Sequence, residues 1–326
     1  ELISRVFVHI RYGMPGKTYG IYMADAELGA VHRPHSYNSN SVMNNRGFRN
    51  IEDIPVRKGP GVSRIYCSGG STTYCYNLRT EDAWPSLLQD GLRKIPGHEH
   101  DQVLNAGEIC FSIAQEFVLA KRFIPLLHPD IVVLYGSGIN EIMTANSLMA
   151  DGRNFDALLA RQEWGVFSKN LDQARFLKRN SVLVRLYDYY LKKYLFESWA
   201  ARYRNNPSDV QIHPWITWNF EQTLGAYIDY AQRQGCRVIL VRYGDNGDDD
   251  WFLNYVRQLR AKAVSIARQK GAVICDVASV VDAHPRRKEL FTETGLHVTR
   301  EGADLVAQAL QKTILSLPTA EQSTVE

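Results

Sequence analysis

The sequence predicts a three-layer α/β/α sandwich on a central parallel sheet of about five strands, and three observations carry that prediction. Short β-rich runs recur from residue 64 onward, helical patterns fill the spaces between them, and the runs are nearly continuous in Val, Ile and Leu. Parallel strands need helical crossovers and are covered on both faces, so they lack the alternation of half-exposed strands. A chain of 326 residues can bury one large core of this kind. Its make-up, 45% hydrophobic and 22% charged, is that of a globular chain and not of a disordered or membrane-spanning one.

Taken in order, residues 1–60 hold scattered aromatics and turn formers, as in HRPHSYNSNSVMNNRGFRN, and read as an N-terminal wrap of irregular or short extended structure. A core domain over 61–318 follows. Its strands are expected at RIYC from Arg64, QVLNAG at 102–107, DIVVLYG at 130–136, CRVILVRYG at 236–244 and AVICDVA at 272–278. Helices are expected at 83–95, 220–235 and 301–315, the second closed by Gly235 as a C-cap. The stretch 141–219, after the third strand, is too long for a plain crossover. It reads as a helical insertion at the carboxyl edge of the sheet, where open α/β folds bind ligands. The tail 319–326 reads as flexible.

Composition narrows the partners. Basic and acidic residues number 38 and 35, too even a balance to advertise a nucleic acid. Five cysteines without paired spacing indicate neither a disulfide framework nor a zinc motif. No run reaches the roughly 18 apolar residues that span a bilayer. The chain starts at Glu1 and so reads as trimmed upstream, with any signal or anchor outside it.

The first motif with chemical content is RIYCSGGSTTY, a strand that runs into Gly69, Gly70 and Ser71 and then toward a helix. Small residues permit a sharp turn that lifts a serine hydroxyl past the strand's end, near helical N–H groups, as a nucleophile elbow requires. Alone, the string serves equally for a phosphate cradle or a plain loop. Three further segments stand beside later elements in a fixed order. VLNAGEICFS follows the second strand, YGSGINEI follows the third, and TGLHVTREG precedes the final helix.

Together the four segments resemble the sequence blocks of the SGNH/GDSL hydrolase superfamily, whose usual forms are G-D-S, a glycine after N-A, G-x-N-D and D-x-x-H. The resemblance spans about residues 64–310. It implies a flavodoxin-like sandwich and a serine esterase or acyl hydrolase that needs no metal or organic cofactor. By the same resemblance Ser71 attacks the ester carbonyl, with Gly70 where the family has aspartate, and His297 is the general base. Asn140, in Gly138-Ile139-Asn140-Glu141, is the side-chain donor to the oxyanion, joined by the Ser71 N–H. The glycine that completes the hole aligns with Cys110 rather than Gly107, which keeps an N–H but gives up glycine's backbone freedom. Cys110 is equally readable as a small buried filler.

His297 precedes a helix capped by Thr299 with Glu301 in its first turn. The acid expected three residues before the histidine is replaced by Thr294. A one-residue insertion would let Glu293 take that role; otherwise a backbone carbonyl orients the imidazole. The segment ADAELGAVHRPHS with NNRGFRN and GVSRI is similar to the lead-in of bacterial SGNH proteins that follow an N-terminal membrane helix. That similarity implies an extracytoplasmic enzyme, periplasmic or at the cell surface, anchored by a segment upstream of residue 1. Its substrates would be acylated surface glycans or lipids. An O-acyltransferase, or a glycan-binding module without turnover, shares these signals.

Gly138, Glu141, Trp215 and Trp218 are candidates for a substrate rim, although aromatics spaced like the two tryptophans more often pack. The Tyr- and Lys-rich stretch 182–204 reads as a helix packed on the domain rather than lying on a membrane. DNGDDD at 245–250 reads as a solvated loop, since Val256 stands where a calcium loop needs glutamate. HPRRKE at 284–289 reads as a solvated charge cluster, and His98 and His100 as part of a surface turn.

Overall fold

The structure is a computed structural model and describes residues 21–25, 27–141 and 214–318. In chain order its elements begin with an antiparallel hairpin, β1 (Tyr22–Asp25) and β2 (Gly29–His32). There follow β3 (Arg64–Gly69), α1 (Ser71–Tyr74), α2 (Trp84–Leu92), β4 (Gln102–Asn105), α3 (Ile113–Leu127) and β5 (Ile131–Tyr135). The second half holds α4 (Pro214–Arg233), β6 (Arg237–Arg242), α5 (Trp251–Gln269), β7 (Val273–Asp276), α6 (Val277–Asp282) and α7 (Arg300–Leu315).

All five expected strands form one parallel sheet in the order β4-β3-β5-β6-β7. Every residue of β3 and β5 is buried, the pattern of strands covered on both faces. Helices α2 and α7 pack on each other, while α3, α4 and α5 pack in a row. The strand order reverses between β3 and β5, and in open α/β sheets ligands bind at such a switch point, outside the carboxyl ends of the strands. Ser71 follows β3 and Asn140 follows β5, so the topology alone brings them to the same crevice.

Residues from the N-terminal wrap cover the free edge of β4. Arg49 N donates to Asn105 O at 3.0 Å, and the Asn50 side chain donates to Val103 O at 2.8 Å and accepts from Asn105 N at 2.9 Å. Those bonds occupy groups that an exposed edge would offer to another chain. Residues 1–20, the stretch 182–204, most of the expected insertion and the tail 319–326 lie outside the described residues. Among the described residues no helix is long and apolar enough to cross a membrane.

Two charged segments depart from the sequence reading. DNGDDD is not a solvated loop throughout: Asp250 caps α5, accepting from Phe252 N and Leu253 N at 2.8 and 3.3 Å. Asp245 is buried beneath Arg257, Arg260 and Arg287, which approach it at 2.7, 3.1 and 3.1 Å. These guanidiniums hold the Asp245 carboxyl at about 2, although burial by itself would raise it. Arg287 belongs to HPRRKE, so that cluster also serves inward. A net count of local charge cannot show this, because the acid's partners come from α5 and from the separate segment at Arg287. His98 Nδ1 meets Asp101 Oδ2 at 2.7 Å, and among the described residues no group of three or more His, Cys, Asp or Glu is placed to hold a metal ion.

Candidate active site

Three segments meet at the turn after β3. A Cβ on Gly70 would lie 2.3 Å from Asn140 Nδ2 and 3.5 Å from Phe111 O, and Asn140 Nδ2 donates to Phe111 O at 2.8 Å. The nucleophile turn, the loop after β4 and the turn after β5 therefore close on one another, and a side chain at 70 would have to displace the end of the Asn140 side chain. Half-buried Ser71 is the first residue of α1, and its Oγ lies 2.9 Å from His297 Nε2.

His297 stands in a closed loop ahead of α7. Phe291 and Val298 pair as an antiparallel bridge, Thr292 N donates to His297 O at 2.8 Å, and Gly295 N donates to Thr292 O at 2.9 Å. Thr299 caps α7, as expected, accepting from Gly302 N at 3.4 Å. Inside the loop, Thr294 Oγ1 lies 2.8 Å from His297 Nδ1 and accepts from His297 N at 3.3 Å, and Thr292 Oγ1 is 3.1 Å beyond. Glu293 is exposed, and no hydrogen bond joins it to His297. The turn at 292–295 directs residue 294 onto the imidazole, so a threonine hydroxyl occupies the place in which Glu293 or a backbone carbonyl was expected.

Burial pushes His297 down to about 4, because the imidazolium loses solvation and no neighbouring charge offsets that loss. Tyr76 covers part of the ring, edge to face, with centroids 4.6 Å apart and planes at 86°.

Cys110 is exposed, which removes the buried-filler reading, and it holds a left-handed backbone at φ 66. Glycine takes that conformation freely; a residue with a Cβ loses on the order of 1–2 kcal/mol there. The conformation expected of the family's glycine is thus retained without glycine. Gly107 serves packing instead. Its N–H donates to Asn105 Oδ1 at 3.1 Å, and a Cβ would lie 2.4 Å from Tyr74 N. It lets the β4 loop pack beneath α1 and does not offer its amide to the site.

Gly138 and Glu141 are buried rather than at a rim. Gly138 packs where a Cβ would meet Leu259 Cβ at 2.8 Å. Glu141 Oε1 accepts from Ile113 N at 2.8 Å, and burial raises its carboxyl to about 7. Its position ties α3 to the turn that carries Asn140. Trp218 is 55% exposed on α4, against the packing reading, and the Trp215 side chain lies outside the described residues.

Two site residues escape sequence reading. Tyr76 carries no motif, and Arg49 sits in the irregular wrap; the guanidinium of Arg49 donates to Tyr74 O, Cys75 O, Leu78 O and Asn40 O. Both act across long sequence separations, which no local pattern signals.

Fold and site together define a hydrolase of the α/β/α class. Over residues 67–305 the sequence matches the model of the GDSL-like Lipase/Acylhydrolase family, and the chain belongs to that family. No curated protein matches it in sequence. Similar solved structures include a lipase/acylhydrolase from Enterococcus faecalis, at 16% identity over 77% of this chain and 95% of that one, with a TM-score of 0.48. A member of the lipolytic protein G-D-S-L family from Veillonella parvula DSM 2008 is 14% identical over 78% of this chain and 100% of that one, with a TM-score of 0.48. The acetyl xylan esterase AlAXEase is 14% identical over 77% and 99%, with a TM-score of 0.47.

Proposed function

We propose that this chain is a serine ester hydrolase that removes a short acyl group from a glycan or lipid through an acyl-Ser71 intermediate. The observation that carries the reading is the 2.9 Å contact of Ser71 Oγ with His297 Nε2, at the switch point of the sheet. Nε2 takes the hydroxyl proton as Oγ attacks the ester carbonyl carbon. The resulting oxyanion meets Asn140 and the backbone amides of Ser71 and Cys110. Collapse breaks the bond to the alcohol, whose oxygen receives the proton from His297. Water then attacks the acyl-serine with His297 again as base, and the free acid leaves.

For Nε2 to accept a proton, Nδ1 must carry one, and the hydroxyl beside Nδ1 accommodates that tautomer as an acceptor. In that tautomer Nδ1–H donates to Thr294 Oγ1, at 2.8 Å, and the Thr294 hydroxyl hydrogen is free to turn toward Thr292 Oγ1, at 3.1 Å. A hydroxyl dipole supports the imidazolium less than a carboxylate would, consistent with a histidine held neutral down to about 4. Thr294 and Cys110, where the family has aspartate and glycine, motivate the alternative of a binding module without turnover. Both keep a geometry that serves catalysis, which favours hydrolysis.

Gly70→Ala is expected to fold, because the atom in the way is the end of the Asn140 side chain, but to lose about 10²–10³ in kcat as that amide is displaced. Steady-state kinetics beside a thermal melt reads both effects.

The reading itself is tested by the pH profile of kcat/KM for p-nitrophenyl acetate. The base works when neutral, so activity is expected to rise through an acid limb near pH 4 and to stay level through 6.5. The same shift makes stability fall as pH drops from 6.5 toward 4, where the unfolded imidazole takes a proton that the folded one refuses. Thr294→Val is expected to cost about tenfold to a hundredfold in kcat, and Glu293→Ala no more than about twofold. Equal losses from the two variants would return the orienting role to Glu293. Absence of turnover above the Ser71→Ala background would sink the hydrolase mechanism.

A further inference from the structure

Tyr76 leaves 43% of its surface exposed, yet the turn that carries it is tied on both sides. Cys75 closes α1 in the left-handed conformation, φ 58, with its N–H on Ser71 O at 2.8 Å. Buried Arg49 holds the carbonyls of Tyr74, Cys75 and Leu78 together. Asn77 Nδ2 reaches across to Val298 O at 2.9 Å, one residue past the histidine, and so locks the Tyr76 turn to the His297 loop. The result is an aromatic ring held against His297 at 4.6 Å, with much of its remaining surface open.

We propose that Tyr76 is the platform for the leaving alcohol of the substrate and that this alcohol is a sugar ring, a proposal that rests on the esterase reading above. His297 must deliver a proton to the alcohol oxygen, so the alcohol lies on the His297 side of Ser71, while the carbonyl oxygen turns toward Asn140. On that side the structure presents the ring of Tyr76 against His297, whose own loop carries the hydroxyls of Thr294, 2.8 Å from Nδ1, and of Thr292, 3.1 Å beyond it. An alkyl alcohol gains most from enclosure on all sides. A pyranose ring instead has an apolar C–H face and a rim of hydroxyls, which suits one open aromatic surface with polar groups around it.

The test compares two substrates with the same acyl group, an acetylated methyl glucoside and ethyl acetate. In Tyr76→Ala the ratio of kcat/KM for the sugar ester to that for ethyl acetate is expected to fall about five- to tenfold, and in Tyr76→Phe to stay within about twofold. Tyr76→Leu, which keeps bulk on the turn without a ring, is expected to follow Tyr76→Ala. Calorimetric titration of the acetylated glucoside into Ser71→Ala and into Ser71→Ala/Tyr76→Ala reads the same loss as weaker binding. An unchanged ratio in Tyr76→Ala and Tyr76→Leu, with ethyl acetate still cleaved by the wild type, would overturn the platform and leave the esterase standing. A wild type that cleaves neither acetate would overturn both.

Discussion

Ser71→Ala, His297→Ala and the double variant are expected to fall to the same residual turnover, on the order of 10⁴- to 10⁶-fold below wild type. The 2.9 Å contact makes the two side chains one device. Without the imidazole, the serine hydroxyl is a poor nucleophile at neutral pH; without the hydroxyl, the imidazole has no proton to take. Losses within such a unit do not add, so the second substitution should cost almost nothing. Neither side chain supports the core: Ser71 is half-buried, and His297 has its side-chain hydrogen bonds to Ser71 and Thr294. Melting temperatures should therefore stay close to that of the wild type. Initial rates of p-nitrophenol release from an acetyl ester measure the effect. A His297→Ala variant that kept more than about a tenth of wild-type kcat would assign the base to another residue.

Arg49→Met is expected to destabilise the fold by about 3–5 kcal/mol. Arg49 is fully buried, donates to four carbonyls, and lies 4.5 Å over the ring of Tyr74. Removing it would leave Tyr74 O and Leu78 O without donors, each at a cost of about 1–3 kcal/mol before the turn relaxes, while Cys75 O and Asn40 O keep the backbone donors Leu78 N and Thr80 N. Burial lowers the pKa of this guanidinium, but arginine stays charged, so desolvation already weighs against the native arrangement. Arg49→Lys should rescue little, because a single ammonium cannot span carbonyls that a planar fork reaches from two nitrogens. Urea denaturation gives the midpoint and slope for all three proteins. A midpoint shift worth less than about 1 kcal/mol would mean that water replaces the guanidinium and that the clamp is not structural. Since the clamped turn carries Tyr76, the surviving folded fraction of Arg49→Met should also lose selectivity for sugar esters.

Much of the fold is legible in the sequence because its signals are local. The five strands lie in nearly unbroken apolar runs, and the expected helices at 83–95, 220–235 and 301–315 correspond to α2, α4 and α7. Helices α3 and α5 fill gaps between strands where the alternation places helical patterns, but the acidic run before α5 is not a loop alone: Asp250 caps the helix and Asp245 is a buried anchor. In the site, Ser71, His297 and Asn140 can be singled out because the segments that carry them resemble the family's sequence blocks in their usual order. Their contacts cannot. Gly107 and Cys110 lie three residues apart, and only the folded loop distinguishes a glycine needed for packing under Tyr74 from a cysteine in the left-handed conformation.

By itself, then, the sequence determined a layered parallel sheet, a serine turn after its first strand and a histidine loop before its last helix. Hydrophobic periodicity, small residues and chain order specify these without any distant partner. Tertiary structure decided that Thr294 rather than Glu293 meets the imidazole, that Arg49 clamps the nucleophile's helix, and that Tyr76 stands beside His297. The physical reason is that side-chain direction within a closed loop, and pairing across 25 to 226 residues of chain, depend on how the elements pack.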